Sequence, residues 1–161
     1  MTDQKPMIPQ EDTPSLGEIG LQNFAPYLMN RIMGRYNASL RDEMAALGLT
    51  TPKMRALAVL SVMDGLPIGQ LAVHAIVEQS TLSRAVDALQ AEGLVRREAD
   101  SADSRTIRVY ITGSGRAAFE TLWPHMAETY LAMFAGIDEA ERRSFVATLQ
   151  KIHANIRKHD F

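Results

Sequence analysis

From Leu21 to Leu47 apolar residues recur at helical spacing: Phe24, Leu28, Ile32 and Tyr36, joined by Tyr27 and Met33. The pattern predicts one long amphipathic helix ending near Gly48. In "GLTTPKMRALAVLSVMDG", Thr51 stands as N-cap with Pro52 at the first helical position, predicting a second helix to about Met63 that Asp64-Gly65 ends. "LPIGQLAVHA" repeats the signal around Leu71 as a short third helix. The most regular segment is "EQSTLSRAVDALQAEGLV", where Leu82, Ala85, Val86 and Leu89 fall at i, i+3, i+4 and i+7. The opposite side of that wheel carries Ser80, Ser83, Arg84 and Asp87, with Thr81 at its flank. Gly93 supplies the stop.

Periodicity then switches. "LVRREA" and "TIRVYIT" predict two short strands, the second alternating Ile107, Val109 and Ile111 with Arg108 and Tyr110. "DSADSR" between them is a polar hairpin loop. Thr112-Gly-Ser-Gly opens a long helix from about Gly113 to Ala135, and Asp138 caps a last one through Phe145, Leu149, Ile152 and Ile156. The order α-α-α-α-β-β-α-α predicts a mainly α fold with a small β-wing: a winged helix-turn-helix flanked by dimerisation helices. Residues 1–18 read as a flexible arm, 49–112 as the winged lobe, and 19–48 with 113–161 as the helical dimerisation region. The flanking helices carry more apolar stripe than so small a lobe can cover, so an intersubunit helical interface is their natural outlet.

Composition narrows the chemistry. Among 161 residues there is no cysteine, which removes disulfides, thiolate catalysis and thiolate metal sites. No apolar run approaches a membrane span and no h-region opens the chain, so a cytoplasmic protein without membrane contact is expected. A net charge of −2 argues weakly against nucleic acid. Its distribution tempers that: residues 79–116 carry six basic groups against five acidic, and all six are arginine, the side chain whose fork suits phosphates and base edges.

"GLTTPKMRALAVL", "STLSRAVDALQAEGLVRR" and above all "DSADSRTIRVYITGSGRA" resemble the MarR family of bacterial transcriptional regulators. The family's Asp-x-Arg wing, followed by a strand and Leu-Thr-x-x-Gly, corresponds here to Asp103-Ser104-Arg105 and Ile111-Thr112-Gly113-Ser114-Gly115. The similarity runs over about residues 20 to 158. It implies a homodimer with interleaved terminal helices on a pseudo-palindromic operator in double-stranded DNA, repression as the default, and release by a small phenolic or carboxylate effector.

Each candidate residue has a plainer alternative. Gln79, Ser80, Thr81, Ser83 and Arg84 form the short polar face that a recognition helix inserts into a major groove about 12 Å wide; the alternative is an ordinary solvated face. Arg105 is either a solvated turn residue or a wing arginine for an adjacent minor groove. Asp103 would hold Arg105, or else a recognition-helix arginine such as Arg84; the resemblance implies the minor-groove role for Arg105 and an orienting one for Asp103. Pro52 and Lys53, with Arg55, stand at a helix N-terminus suited to a phosphate, and Arg97, with Arg96, on the first wing strand is a further phosphate contact. The resemblance implies an effector pocket between dimer helices and lobe, with Tyr27, Arg31, Met33, Arg35 and Tyr36 as candidates.

No catalytic residue, metal ligand set or cofactor is expected. "GSG" lacks the rest of a phosphate-loop motif, and His74 and Glu78 share i, i+4 spacing without a third ligand. Two other classes stay open on the residues alone: a winged-helix protein–protein module, and a small-molecule-binding helical bundle.

Overall fold

In the computed structural model, which describes residues 13–161, three elements rather than one carry the apolar stripe that begins near Leu21. The chain divides into two units, Met1–Ser39 and Leu40–Phe161. In the first, Ser15 and Glu18 form a reciprocal capping box around the one-turn helix α1 (Leu16–Ile19). That turn falls in the arm expected over residues 1–18, of which 1–12 lie outside the described residues. A 3-10 turn (Leu21–Asn23) leads into α2 (Ala25–Ser39). Leu28, Ile32 and Met33 remain exposed along α2, and none of its residues is buried.

The helix expected to run to Leu47 stops at Ser39 and resumes as α3 (Arg41–Ala46). Leu40 sits between them at φ −91°, ψ −10°, fully buried, with Met44 buried one turn on. The Ser39 hydroxyl donates to the Tyr36 carbonyl at 2.7 Å, a local bond that competes with helix continuation. Burial of Leu40 thus outweighs a periodicity that, read alone, favours one rod.

The second unit is a winged helix-turn-helix followed by two helices. It contains, after α3, α4 (Thr51–Val62), β1 (Leu66–Pro67), α5 (Ile68–Ala75), α6 (Gln79–Ala91), β2 (Val95–Ala99), β3 (Ile107–Ile111), α7 (Gly113–Met133) and α8 (Glu139–Ile156). Thr50, not Thr51, is the cap residue of α4, placing Pro52 one position further in. The short β1 was not expected; Leu66 pairs with Val109 and makes the sheet three-stranded and antiparallel in the order β1-β3-β2. The predicted face of α6 is the buried one: Leu82, Ala85, Val86 and Leu89 pack into a core with Leu57, Leu60, Leu71, Val95, Val109 and Leu122.

Two sites show why the lobe closes where it does. Thr112 accepts from the Gly115 N–H at 3.1 Å and donates to the Gly93 carbonyl at 2.7 Å, so one hydroxyl caps α7 and ties it to the end of α6. Gly115 lies so close to the strand that a Cβ there would stand 2.0 Å from the Leu94 carbonyl oxygen. "TGSG" is therefore a strand-to-helix turn whose last glycine is required by close approach. Further on, Asp138 caps α8 as expected, accepting from the Glu141 N–H at 2.8 Å. No residue of α8 is buried, and Phe145, Val146, Ile152 and Ile156 are exposed.

Candidate nucleic-acid interface

The candidate surface starts at a tight turn. α5 ends in Ile76, which adopts the left-handed conformation at φ 56°, ψ 50° although β-branched and 79% exposed. Arg55 donates to the Ile76 carbonyl at 3.2 Å and Val77 N–H to that of Ala72 at 3.1 Å. Both bonds hold the reversal that brings the chain into α6. From it Gln79, Ser80 and Arg84 stand exposed and Thr81 and Ser83 half-buried on one side of the helix. Among the described residues Arg84 makes no ion pair or side-chain hydrogen bond. Three hydroxyls and a free five-donor fork are thus presented together.

Lys53 departs from its expected role as a phosphate contact. It is 7% exposed, and its ammonium donates to the Gly48 carbonyl at 3.1 Å and to Glu92 at 2.6 Å. The cation is spent joining the start of α4 to the end of α6, because a buried ammonium needs such partners. Neighbouring Pro52 is half-buried and Arg55 holds the turn.

The wing strands meet residue for residue, Arg97 opposite Val109 and Glu98 opposite Arg108. Arg97 turns toward α6, donating to Asp87 at 2.6 Å and to Gln90 at 3.3 Å. Arg96 lies over the Tyr110 ring, 4.4 Å from its centroid, and pairs with Glu98.

At the tip the two aspartates do different work. Asp103 accepts from both the backbone N–H and Nε of Arg105, each at 3.1 Å, and the Arg105 side chain is 90% exposed. Asp103 thus holds Arg105 and not Arg84. Asp100 instead builds the loop, accepting from the N–H of Ala102 at 2.8 Å and of Asp103 at 3.2 Å, while its other oxygen takes Nε of Arg108. Arg108 also donates to the Gly65 carbonyl at 2.8 Å. The Arg108 hydrogen bond, then those two backbone N–H groups, hold the Asp100 carboxyl below its ordinary value. Asp64 was also missed: it accepts from Ile111 N–H at 2.9 Å and anchors β3 to the end of α4. An Asx-turn pattern in "DSADSR" was a readable signal for Asp100; nothing local signals the pairing of Asp64 with a residue so distant in sequence.

In the first unit, Arg31 donates to the Tyr27 hydroxyl at 2.8 Å and lies over that ring. Burial pushes the Tyr36 phenol up. Met33 and Arg35 are exposed. Among the described residues no three His, Asp or Glu side chains gather as a metal set, and the His74 ring packs on Phe161 at 5.5 Å. No described helix is long and apolar enough to cross a membrane.

A sequence model of the MarR family matches residues 47–106, the span from the start of the lobe to the wing. A MarR-family transcriptional regulator from Silicibacter pomeroyi is 63% identical, with 92% of this chain and 100% of that one covered and a TM-score of 0.88. The HTH-type transcriptional repressor IacR of Pseudomonas putida is 26% identical over 89% of this chain and 86% of its own length. A structure of Bordetella bronchiseptica BpsR, described by its regulation of DNA binding by 6-hydroxynicotinic acid, is 25% identical with a TM-score of 0.68, covering 80% of this chain and 97% of that one.

Proposed function

Because this chain belongs to the MarR family of transcriptional regulators, we propose that it acts as a homodimeric repressor that seats two α6 helices in successive major grooves of a pseudo-palindromic operator. The observation that carries the reading is the free Arg84 beside Ser80, Thr81 and Ser83, on a helix whose opposite face is wholly buried. Arg84 would read a base edge through its fork. Arg105, aimed by Asp103 from the wing tip, would enter the flanking minor groove, where narrow A·T tracts favour arginine. Gln79, exposed at the start of α6, borders the same surface and would contact the backbone.

The exposed apolar stripes on α2 and α8 support dimerisation, since neither helix buries a single residue within the chain. A two-fold dimer would place its recognition helices roughly 34–36 Å apart, one turn of duplex. Regulation of BpsR by a pyridine carboxylate supports a planar carboxylate or phenolic effector here too. Tyr27, Arg31, Met33, Arg35 and Tyr36 are the candidate contacts, Arg35 being exposed to meet an anion. Such a ligand would relieve repression by favouring a dimer state whose spacing misfits the operator.

The test is binding of the purified protein to the duplex upstream of its own gene against a scrambled duplex at matched salt. Preference for the upstream duplex, lost in Arg84→Ala, supports the reading; equal binding to both sinks it.

A further inference from the structure

The polar face of α6 is divided along its length. Its first turns present Ser80, Ser83 and Arg84, and its later turns present Asp87 and Gln90 on the same side. Among the described residues only the later part is engaged by another element. Arg97 reaches across from β2 with Nη2 2.6 Å from Asp87 and Nη1 3.3 Å from Gln90, so that one guanidinium spans a full turn of the helix. Its side chain is 27% exposed although that of Asp87 is 65% exposed. The fork therefore lies against the helix rather than out in solvent. Its base is equally fixed, since Arg97 pairs in register with buried Val109.

We propose that Arg97 is a positioning residue for sequence recognition, fixing the roll of α6 so that Ser80, Ser83 and Arg84 meet the base edges. This rests on the DNA-binding reading above and replaces the phosphate role expected for Arg97 from sequence. Apolar packing of Leu82, Val86 and Leu89 is non-directional and resists lift more than rotation. Two directional bonds to the opposite face resist rotation. A roll of about 10° moves a group roughly 6 Å from the helix axis by about 1 Å, enough to spoil a bidentate base contact. The same contact occupies the Asp87 carboxylate and the Gln90 amide oxygen, although both residues stay exposed, and leaves the unengaged polar groups on the first turns. It also offsets a carboxylate that would otherwise face phosphates unpaired.

The experiment compares Arg97→Ala, Asp87→Ala, the double variant and Arg97→Lys in the full chain. Each is titrated with the upstream and scrambled duplexes over a range of salt, with thermal melts alongside. Arg97→Ala and Asp87→Ala are each expected to lose on the order of tenfold in preference for the upstream duplex, comparable to one mismatched base pair. The double variant should be no worse than either single one, because both remove the same contact. The salt dependence should not become shallower, and Arg97→Lys, which keeps one bond to Asp87, should recover part of the preference.

A salt slope shallower by about one per protomer in Arg97→Ala, with Asp87→Ala harmless, would mean a phosphate ligand and overturn the proposal. So would a lowered melting temperature with preference unchanged. A wild-type protein that prefers neither duplex defeats the DNA reading and this proposal with it. A wild type that discriminates, beside an Arg97→Ala protein that discriminates equally, defeats this proposal alone.

Discussion

A single carboxylate oxygen of Asp103 receives both the backbone N–H and the Nε–H of Arg105, each at 3.1 Å. Among the described residues the remaining guanidinium N–H groups make no hydrogen bond, on a side chain that is 90% exposed. The pair is too exposed to add much stability, since such ion pairs contribute about 0–1 kcal/mol. Its effect is on direction. Asp103→Ala should leave the unfolding midpoint nearly unchanged yet weaken operator binding, by less than Arg105→Ala does. Both losses should shrink when A·T pairs flanking the contacted half-sites are replaced by G·C, which widens the minor groove. Titration of the two variants against the two duplexes checks this; equal losses on both would place Arg105 on a phosphate instead.

Gly115 gives a sharper stability test. A Cβ at this position would sit 2.0 Å from the Leu94 carbonyl oxygen, and that backbone is held by Thr112 N–H at 3.0 Å. Gly115→Ala should destabilise the fold by about 3 kcal/mol, the upper end of overpacking costs. Gly113, two residues earlier, has open space around its Cβ position. Gly113→Ala should be neutral or stabilising by about 0.5 kcal/mol through the unfolded chain. Urea unfolding of the two variants separates a glycine required by close packing from one that is merely tolerated.

Ile76 stores strain at the turn between α5 and α6. Its φ of 56° is unfavourable for a β-branched residue, and at 79% exposure its side chain recovers little by burial. Ile76→Gly should therefore raise stability by about 1 kcal/mol. The Arg55 bond runs to the backbone carbonyl and survives the change. A rise in melting temperature is the expected readout; a fall would show that the exposed side chain has a partner worth more than the strain.

Acid should loosen the wing before the core. Bonded to Arg108 and two backbone N–H groups, Asp100 has a folded-state pKa below that of the unfolded chain. Its contribution is therefore fully present above about pH 4, the unfolded value. It declines as pH falls through the lower folded value. Asp100→Asn should lower stability at neutral pH and flatten the loss of stability below about pH 4. Stability curves of the two proteins against pH check both parts, and parallel curves would show that Asp100 does not govern the acid limb.

How much of this was legible in the sequence depends on whether a residue's partner is local. The face of α6, the cap at Asp138 and the alternation of β3 depend on neighbours within a turn or a strand, and they were readable. The Asp103–Arg105 pair is two residues apart and was anticipated as one of two possibilities. Leu40 was not: its burial ends α2, a tertiary effect that helical spacing cannot report. Strand β1 was missed because its two residues include a proline and pair with β3 across a long separation. The arginines were countable, but which were free was not. Arg96, Arg97, Arg108 and Arg116 are engaged by Glu98, Asp87, Asp100 and the Ser61 carbonyl, leaving Arg84 unpartnered among the described residues and Arg105 exposed on its Asp103 support.

Lys53 shows how that distinction can be measured. Sequence position alone made it a phosphate contact, whereas its ammonium is enclosed between the Gly48 carbonyl and Glu92. Lys53→Met keeps the stem's volume but leaves the Gly48 carbonyl and the Glu92 carboxylate without their donor. Gly48 is exposed and Glu92 half exposed, so both acceptors can be rehydrated, and what is lost is the pair of hydrogen bonds made by the charged ammonium. The variant should therefore lose about 1–3 kcal/mol of stability. Below its melting range its salt slope for DNA should match the wild type, because no phosphate contact is removed. Arg84→Ala should do the reverse, sparing stability and changing base preference by about 1–3 kcal/mol. If Lys53→Met flattened the salt slope at unchanged stability, the ammonium would have to leave its internal partners on the duplex, and the end of α6 would have to move with it.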